Sequence, residues 1–265
     1  MKRVVTFSYG VQAWACAKRV VERYGTDGLV LLNADTKSED PDTYRFGHEA
    51  AANVGGQLVE IADGRNIWEV FRDVRMLGGG KMHADPCSRI LKRELIDRWL
   101  EKNCDPADTI VYVGLDWSEG RFERLRDIRA ADGWRYEAPL CDPPYLTKDD
   151  MHEWATREGL AKQRLYVLGM SHANCGGGCV KMGQGGFAHL LKVDPCMFAE
   201  WEANEQTLRE QLGDVAILRD RRGGTSKPLT LRALRQRIER DESVDMFDIG
   251  GCGCFVDATK EEGTP

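Results

Sequence analysis

The chain has 265 residues, 42% hydrophobic and 30% charged, the make-up of an ordinary globular protein with one large domain or a domain plus appendage. A net charge of −6 argues against bulk electrostatic binding of nucleic acid, and no apolar run approaches the ~20 residues of a membrane span. Nine cysteines follow an N-terminus, MKRVVTFSYG, that reads as the opening of a strand and not as a secretory signal, so a reducing, cytoplasmic setting is expected.

In chain order, residues 3–7 are a short β-branched apolar run and predict a buried strand. Residues 11–24 place Val11, Trp14, Ala15, Val21 and Tyr24 at helical spacing. A second strand is predicted at 29–33, a helix through 43–53, a strand at 58–61, and helices at 67–75 and 88–102. Strands at 109–114 and 136–140 flank a helix at 121–131. Thr147 opens a further helix, with Asp150 three positions on as in a capping box. This alternation predicts an α/β fold: a parallel sheet with helices on both faces. After about residue 160 the pattern changes to a helical, cysteine-rich C-terminal region. It holds a long helical stretch broken near Pro195 and running towards Leu212, a basic turn RDRRGG, and a last helix at 229–239. The expected division is a nucleotide-binding α/β domain over 1–160, a cysteine-rich metal-binding region over 161–258, and a disordered tail over 259–265.

Two tight cysteine pairs stand out among glycines: Cys175 and Cys179 in HANCGGGCVKMG, and Cys252 and Cys254 in IGGCGCFVD. Four thiolates gathered in this way suit a soft metal, and glycine lets the backbone close around it. Structural zinc usually takes knuckles with two residues between cysteines; here there are three and one, which tilts the reading towards an iron–sulfur cluster with zinc as the alternative. Two disulfides or unrelated buried thiols are the remaining readings. A shared site would pin the end of the chain to the first pair.

The turn after the first strand, Ser8-Tyr9-Gly10-Val11-Gln12-Ala13, is neither G-x-G-x-x-G nor a Walker loop. A small-residue turn between a parallel strand and a helix N-terminus nonetheless presents backbone N–H groups to an anion. Asp35, after the second strand, is placed to meet a ribose hydroxyl or to cap a helix. Cys87, between Pro86 and Ser88 at a predicted helix start, is a candidate nucleophile or sulfur carrier, with a buried structural thiol or an extra cluster ligand as alternatives. Asp116 and Glu119 follow a strand's C-terminal end, where each would serve magnesium or cap a helix. His172 is a candidate ligand or proton donor, or a plain loop residue. Between residues 216 and 240 there are eight Lys or Arg and two acids, read as an anion-binding patch or a solvated helix face. Within it Arg219, Arg221, Arg222 and Lys227 suit a phosphate or sulfate clamp.

These features together resemble the adenine nucleotide alpha hydrolase, or PP-loop, superfamily, and within it proteins like phosphoadenosine phosphosulfate (PAPS) reductase. Ser8 and Gly10 match the superfamily's phosphate loop, roughly S-G-G-x-D-S, whereas Tyr9, Gln12 and Ala13 depart from it. ADTKSEDPDTYRF, DPCSRILKREL with Cys87 and Lys92, and APLCDPPYLTKDDM resemble family segments in the same order. The resemblance implies an adenine nucleotide, ATP or PAPS, bound by Ser8, Gly10, Val11, Gln12, Ala13 and Asp35. It also implies sulfur-transfer or reductive chemistry by Cys87, Lys92, Arg221 and Arg222, with magnesium as a further cofactor. Two alternatives remain: an ATP-dependent nucleic-acid base thiolation enzyme that holds its substrate through 216–240, and a non-catalytic binding module with structural zinc.

Overall fold

The protein is represented by a computed structural model, which describes residues 1–77, 85–117 and 133–250. The predicted helix at 121–131, Glu119, Cys252, Cys254 and the tail over 259–265 lie outside the described residues. Two compact units divide the chain: unit one comprises Met1–Asp35, Pro41–Asp63 and Lys92–Arg164, and unit two comprises Thr36–Asp40, Gly64–Leu91 and Leu165–Pro265.

Unit one is built on five parallel strands in the order β3-β2-β1-β4-β5: β1 Lys2–Thr6, β2 Leu29–Asp35, β3 Gln57–Ala62, β4 Thr109–Tyr112 and β5 Tyr136–Glu137. The near-continuous apolar runs of β1, β2 and β4 match strands buried on both faces. Alternate residues serve the two faces, as the pleat requires. Val5, Phe7, Leu29, Leu31 and Tyr112 pack on one face, with helix α1 (Val11–Tyr24), α2 (Pro41–Val54) and residues Met151 and Ala155. Val4, Val30, Leu32, Val111 and Val113 pack on the other, with Ile96 and Leu100. Helices thus cover both faces of a parallel sheet, as the alternation of the sequence predicts.

The helical run bearing Cys87 and Lys92 extends from α4 (Pro86–Ser88) through a π-helical segment, Arg89–Arg93, into α5 (Glu94–Asn103). Sequence periodicity predicts one regular helix there; the π turn is a change of hydrogen-bond register that composition does not reveal. The Thr147 capping box at α6 (Lys148–Arg157) is present: Thr147 Oγ1 accepts from the Asp150 amide at 3.2 Å, and Asp150 Oδ2 accepts from the Thr147 amide at 2.7 Å.

Unit two contains α3 (Ile67–Asp73), the short α7 (Arg164–Val167, whose last three residues belong here), α8 (Gln184–Val193), α9 (Pro195–Leu212), α10 (Leu231–Glu239) and a hairpin of β6 (Leu218–Asp220) and β7 (Lys227–Leu229). The break predicted at Pro195 separates α8 from α9, because proline starts a helix well and continues one poorly. Leu229, expected to open the last helix, instead ends β7, and Thr230 caps α10 through its side chain. The core is aromatic: the Trp201 ring lies 4.7 Å from Trp68 and 5.6 Å from Phe187, centroid to centroid. Glu205, a buried residue of α9, accepts from the amides of Ile217 at 2.9 Å and Leu231 at 2.7 Å, tying the hairpin region and α10 to one carboxylate. Burial pushes its carboxyl pKa up, and the two amides oppose that shift.

Candidate functional site

In unit one, strand order reverses between β1 and β4, and the loops beyond their C-terminal ends form the crevice where open parallel sheets bind ligands. The turn 8–13 lies there. Gly10 is the N-cap of α1 in an extended conformation; no side chain caps the helix and its first turn carries no acid, so its N-terminal end keeps its positive character. A Cβ added at Gly10 would meet nothing closer than Ser8 Oγ at 3.7 Å, so this approach is open. Gly114, beyond β4, is the opposite case: a Cβ there would lie 3.1 Å from Gln12 backbone atoms and the Ala13 nitrogen. The bare backbone at 114 lets the two loops close together. Gln12 then donates from Nε2 to Asp116 Oδ2 at 2.5 Å.

Tyr9 explains how the turn differs from a glycine-rich one. It adopts a left-handed conformation, φ 59°, which costs a non-glycine residue about 1 kcal/mol. Its buried ring compensates. It packs against Phe7, Tyr44 and His48 and fills a notch over Gly47, where an added Cβ would sit 2.2 Å from the ring. The phenol donates to Glu60, and burial together with that carboxylate raises its pKa. Asp35 is the last residue of β2, and its Oδ1 accepts from Tyr44 Oη at 2.7 Å, a partner that the sequence reading did not anticipate.

In unit two, Cys175 lies within a turn, Asn174–Gly177, in which Cys175, Gly176 and Gly177 all have positive φ, and Cys179 follows two residues after it. The Cys175 amide donates to Glu39 Oε2 at 2.6 Å. Cys87, Cys175 and Cys179 line one small apolar cavity with Ile67, Phe71, Val180 and Trp201. None of the seven described cysteines is in a disulfide. Residues up to Gly250 run back along the start of α8. Gly183 donates to the Ile249 carbonyl at 3.0 Å, Gly185 donates to the Asp248 carbonyl at 2.9 Å, and Met182 bridges antiparallel to Gly250. Met182 is three residues after Cys179, and Cys252 is two residues past Gly250. Among the described residues, no three His, Cys, Asp or Glu side chains are grouped to hold a metal ion. The donor set and the glycine cradle suit a soft metal, but two of its four expected thiolates lie outside the described residues. His172 is buried in the same unit.

Half of the eight basic residues in the segment, Arg222, Arg232, Arg235 and Arg237, are closely paired with acids. Arg222 makes a paired contact with Asp220, Nε to Oδ1 at 3.0 Å and Nη2 to Oδ2 at 2.9 Å, and Arg237 reaches the same carboxylate at 2.7 Å. These two arginines hold the Asp220 carboxyl well below the usual carboxylate range. Arg232 and Arg235 share Glu202. Arg221 is more exposed, with a looser 3.9 Å contact to Asp248. Lys92 is buried in the π segment. The Gln12–Asp116 contact and the Tyr9–Gly47 notch went unread in the sequence. Each joins residues far apart in the chain, and only the turn's departure from a glycine-rich pattern hinted that something must occupy Tyr9's place.

No protein-family model matches the chain, and no curated protein matches it. Among solved structures it is similar to a phosphoadenylyl-sulfate (PAPS) reductase from Candida auris in a phosphate complex, at 15% identity over 66% of this chain and 81% of that one, with a TM-score of 0.46. It is also similar to a predicted subunit of tRNA methyltransferase from Methanocaldococcus jannaschii, at 16% identity over 59% of this chain and 76% of that one, with a TM-score of 0.38. No helix among the described residues is long and apolar enough to cross a membrane.

Proposed function

We propose that this protein is an adenine-nucleotide-binding enzyme of sulfur chemistry, of the PAPS-reductase-like kind. The observation that carries the reading is the uncapped start of α1 at the β1/β4 reversal, with open space over Gly10 and Gln12 bonded to Asp116. The amides of Val11, Gln12 and Ala13 bind the nucleotide's phosphates, and Asp35 orients the ribose. A carboxylate beside an anion is favourable only with a cation between them. Asp116 would hold a magnesium ion, as one or two carboxylates usually do, and the ion would offset the charge of the phosphates. Gln12 keeps that carboxylate in place. The thiolates of Cys175, Cys179, Cys252 and Cys254 would hold an iron–sulfur cluster or zinc; a cluster would supply electrons or sulfur, zinc only structure. Cys87 is the candidate thiol for the sulfur step, and Arg221, whose contact to Asp248 is long at 3.9 Å, is a candidate for an anionic leaving group. The carboxylates on Arg222, Arg232, Arg235 and Arg237 argue against a broad nucleic-acid patch.

Calorimetric titration with ATP, AMP, PAPS and inorganic pyrophosphate tests the reading. At least one nucleotide binds the wild type, and Gly10→Val weakens that binding at least tenfold. Its melting temperature stays near that of the wild type, because the space over Gly10 is open. Absence of binding to all four probes by the metal-loaded protein would leave the binding-module alternative.

A further inference from the structure

We propose that Trp117 and Tyr145 form a stacking platform for a nucleobase ring beside the turn 8–13, an inference that rests on the phosphate site proposed above. Trp117 is 39% and Tyr145 56% exposed. Single exposed aromatics are ordinary, but these two touch, with centroids 5.8 Å apart and planes tilted by 51°. The indole is held in place: Nε1 donates to the Leu146 carbonyl at 2.8 Å. A ring fixed before its ligand arrives loses little entropy on binding. At 5.8 Å the rings are too close to admit a third between them, so a base stacks on an outer face.

Position selects the occupant. Trp117 directly follows Asp116, whose carboxylate takes the Gln12 amide at the start of α1. A flat apolar face thus stands one residue from the contact that closes the anion-binding turn. A ligand that uses both surfaces carries a planar ring and a phosphate, the chemistry of a nucleotide. The base comes either from a free mononucleotide or from a single-stranded nucleic acid. Every base offers a π face, so stacking is tolerant of sequence.

The test uses the full-length protein with three probes: ATP, inorganic pyrophosphate and a short single-stranded oligonucleotide of mixed sequence. Trp117→Ala and Tyr145→Ala each weaken a base-bearing probe by roughly tenfold, within the range of a lost base–aromatic stack. Trp117→Phe restores most of the affinity, and pyrophosphate affinity is unchanged throughout. Tyr145→Ala guards against a folding artefact, since its ring is the more exposed. Loss confined to ATP assigns the base to a mononucleotide; loss confined to the oligonucleotide assigns it to a nucleic acid, and either sustains the platform. Wild-type affinities for both base-bearing probes in the alanine variants overturn it. So does pyrophosphate affinity falling in step with ATP, or a wild type that binds neither base-bearing probe. A wild type that binds the oligonucleotide but neither ATP nor pyrophosphate removes the mononucleotide reading, and the oligonucleotide arm then decides the platform alone.

Discussion

Gly10 in unit one and Gly178, Gly183 and Gly185 in unit two use the missing side chain in opposite ways. At Gly10 in unit one the missing side chain leaves open space at a helix start. In unit two the corresponding space is filled. A Cβ at Gly178 would fall 2.2 Å from the Trp201 ring, at Gly183 2.0 Å from the Asp248 carbonyl oxygen, and at Gly185 2.3 Å from the Met246 carbonyl oxygen. The first glycine leaves room for a ligand from outside the chain; the others let the chain approach itself. A glycine-rich motif does not by itself say which of these it does.

The largest expected effect belongs to the two cysteine pairs. Cys175→Ser, Cys179→Ser, Cys252→Ser and Cys254→Ser should each remove most of the bound metal and lower the melting temperature, because metal-binding energy becomes folding energy when a site ties distant segments together. Metal analysis of anaerobically purified protein reads this out, and a brown preparation distinguishes iron–sulfur from colourless zinc. Full metal content in both Cys252→Ser and Cys254→Ser would end the shared four-thiolate site.

Next comes the glycine contrast. Gly183→Ala drives a methyl group into a backbone carbonyl and should cost about 3 kcal/mol of stability. Gly10→Ala should stay within about 1 kcal/mol of the wild type, since a poorer N-cap and a less flexible unfolded chain offset each other. Urea unfolding of the two variants checks this, and equal costs would erase the distinction between open and filled glycines.

The most gradual effect belongs to unit one. His152 is buried in α6, and burial, followed by the nearby Lys162 and Lys148, lowers its pKa from 6.5 to about 4. The unfolded chain therefore takes up this proton first as the medium acidifies. The contribution is complete above pH 6.5 and is lost as pH falls towards 4, at no more than about 1.4 kcal/mol per pH unit. Urea midpoints across this window should fall for the wild type, and less steeply for His152→Gln. Equal slopes would show that other groups carry the acid sensitivity.

Much of unit one was legible because its signals are local. The apolar runs of β1, β2 and β4 and the 3.6-residue spacing in α1 depend on neighbours within a few positions, and the Thr147–Asp150 box is complete within four residues. The break at Pro195 is equally local, since it follows from a single missing N–H. The candidate site was legible as residue types but not as geometry. Ser8 to Ala13 stood out as a turn, and the cysteine pairs stood out by spacing. By itself, then, the sequence determined the alternation of strands and helices, the buried faces of the sheet and the gathering of thiols among glycines, all of which follow from periodicity and composition. Only tertiary structure decided that Gln12 meets Asp116 across 104 positions, that Tyr9 rests in the notch over Gly47, that Arg237 reaches Asp220 across 17, and that Met182 pairs with Gly250. Those outcomes depend on which side chains the folded backbone brings within a few ångströms, and distance along the chain carries no record of that.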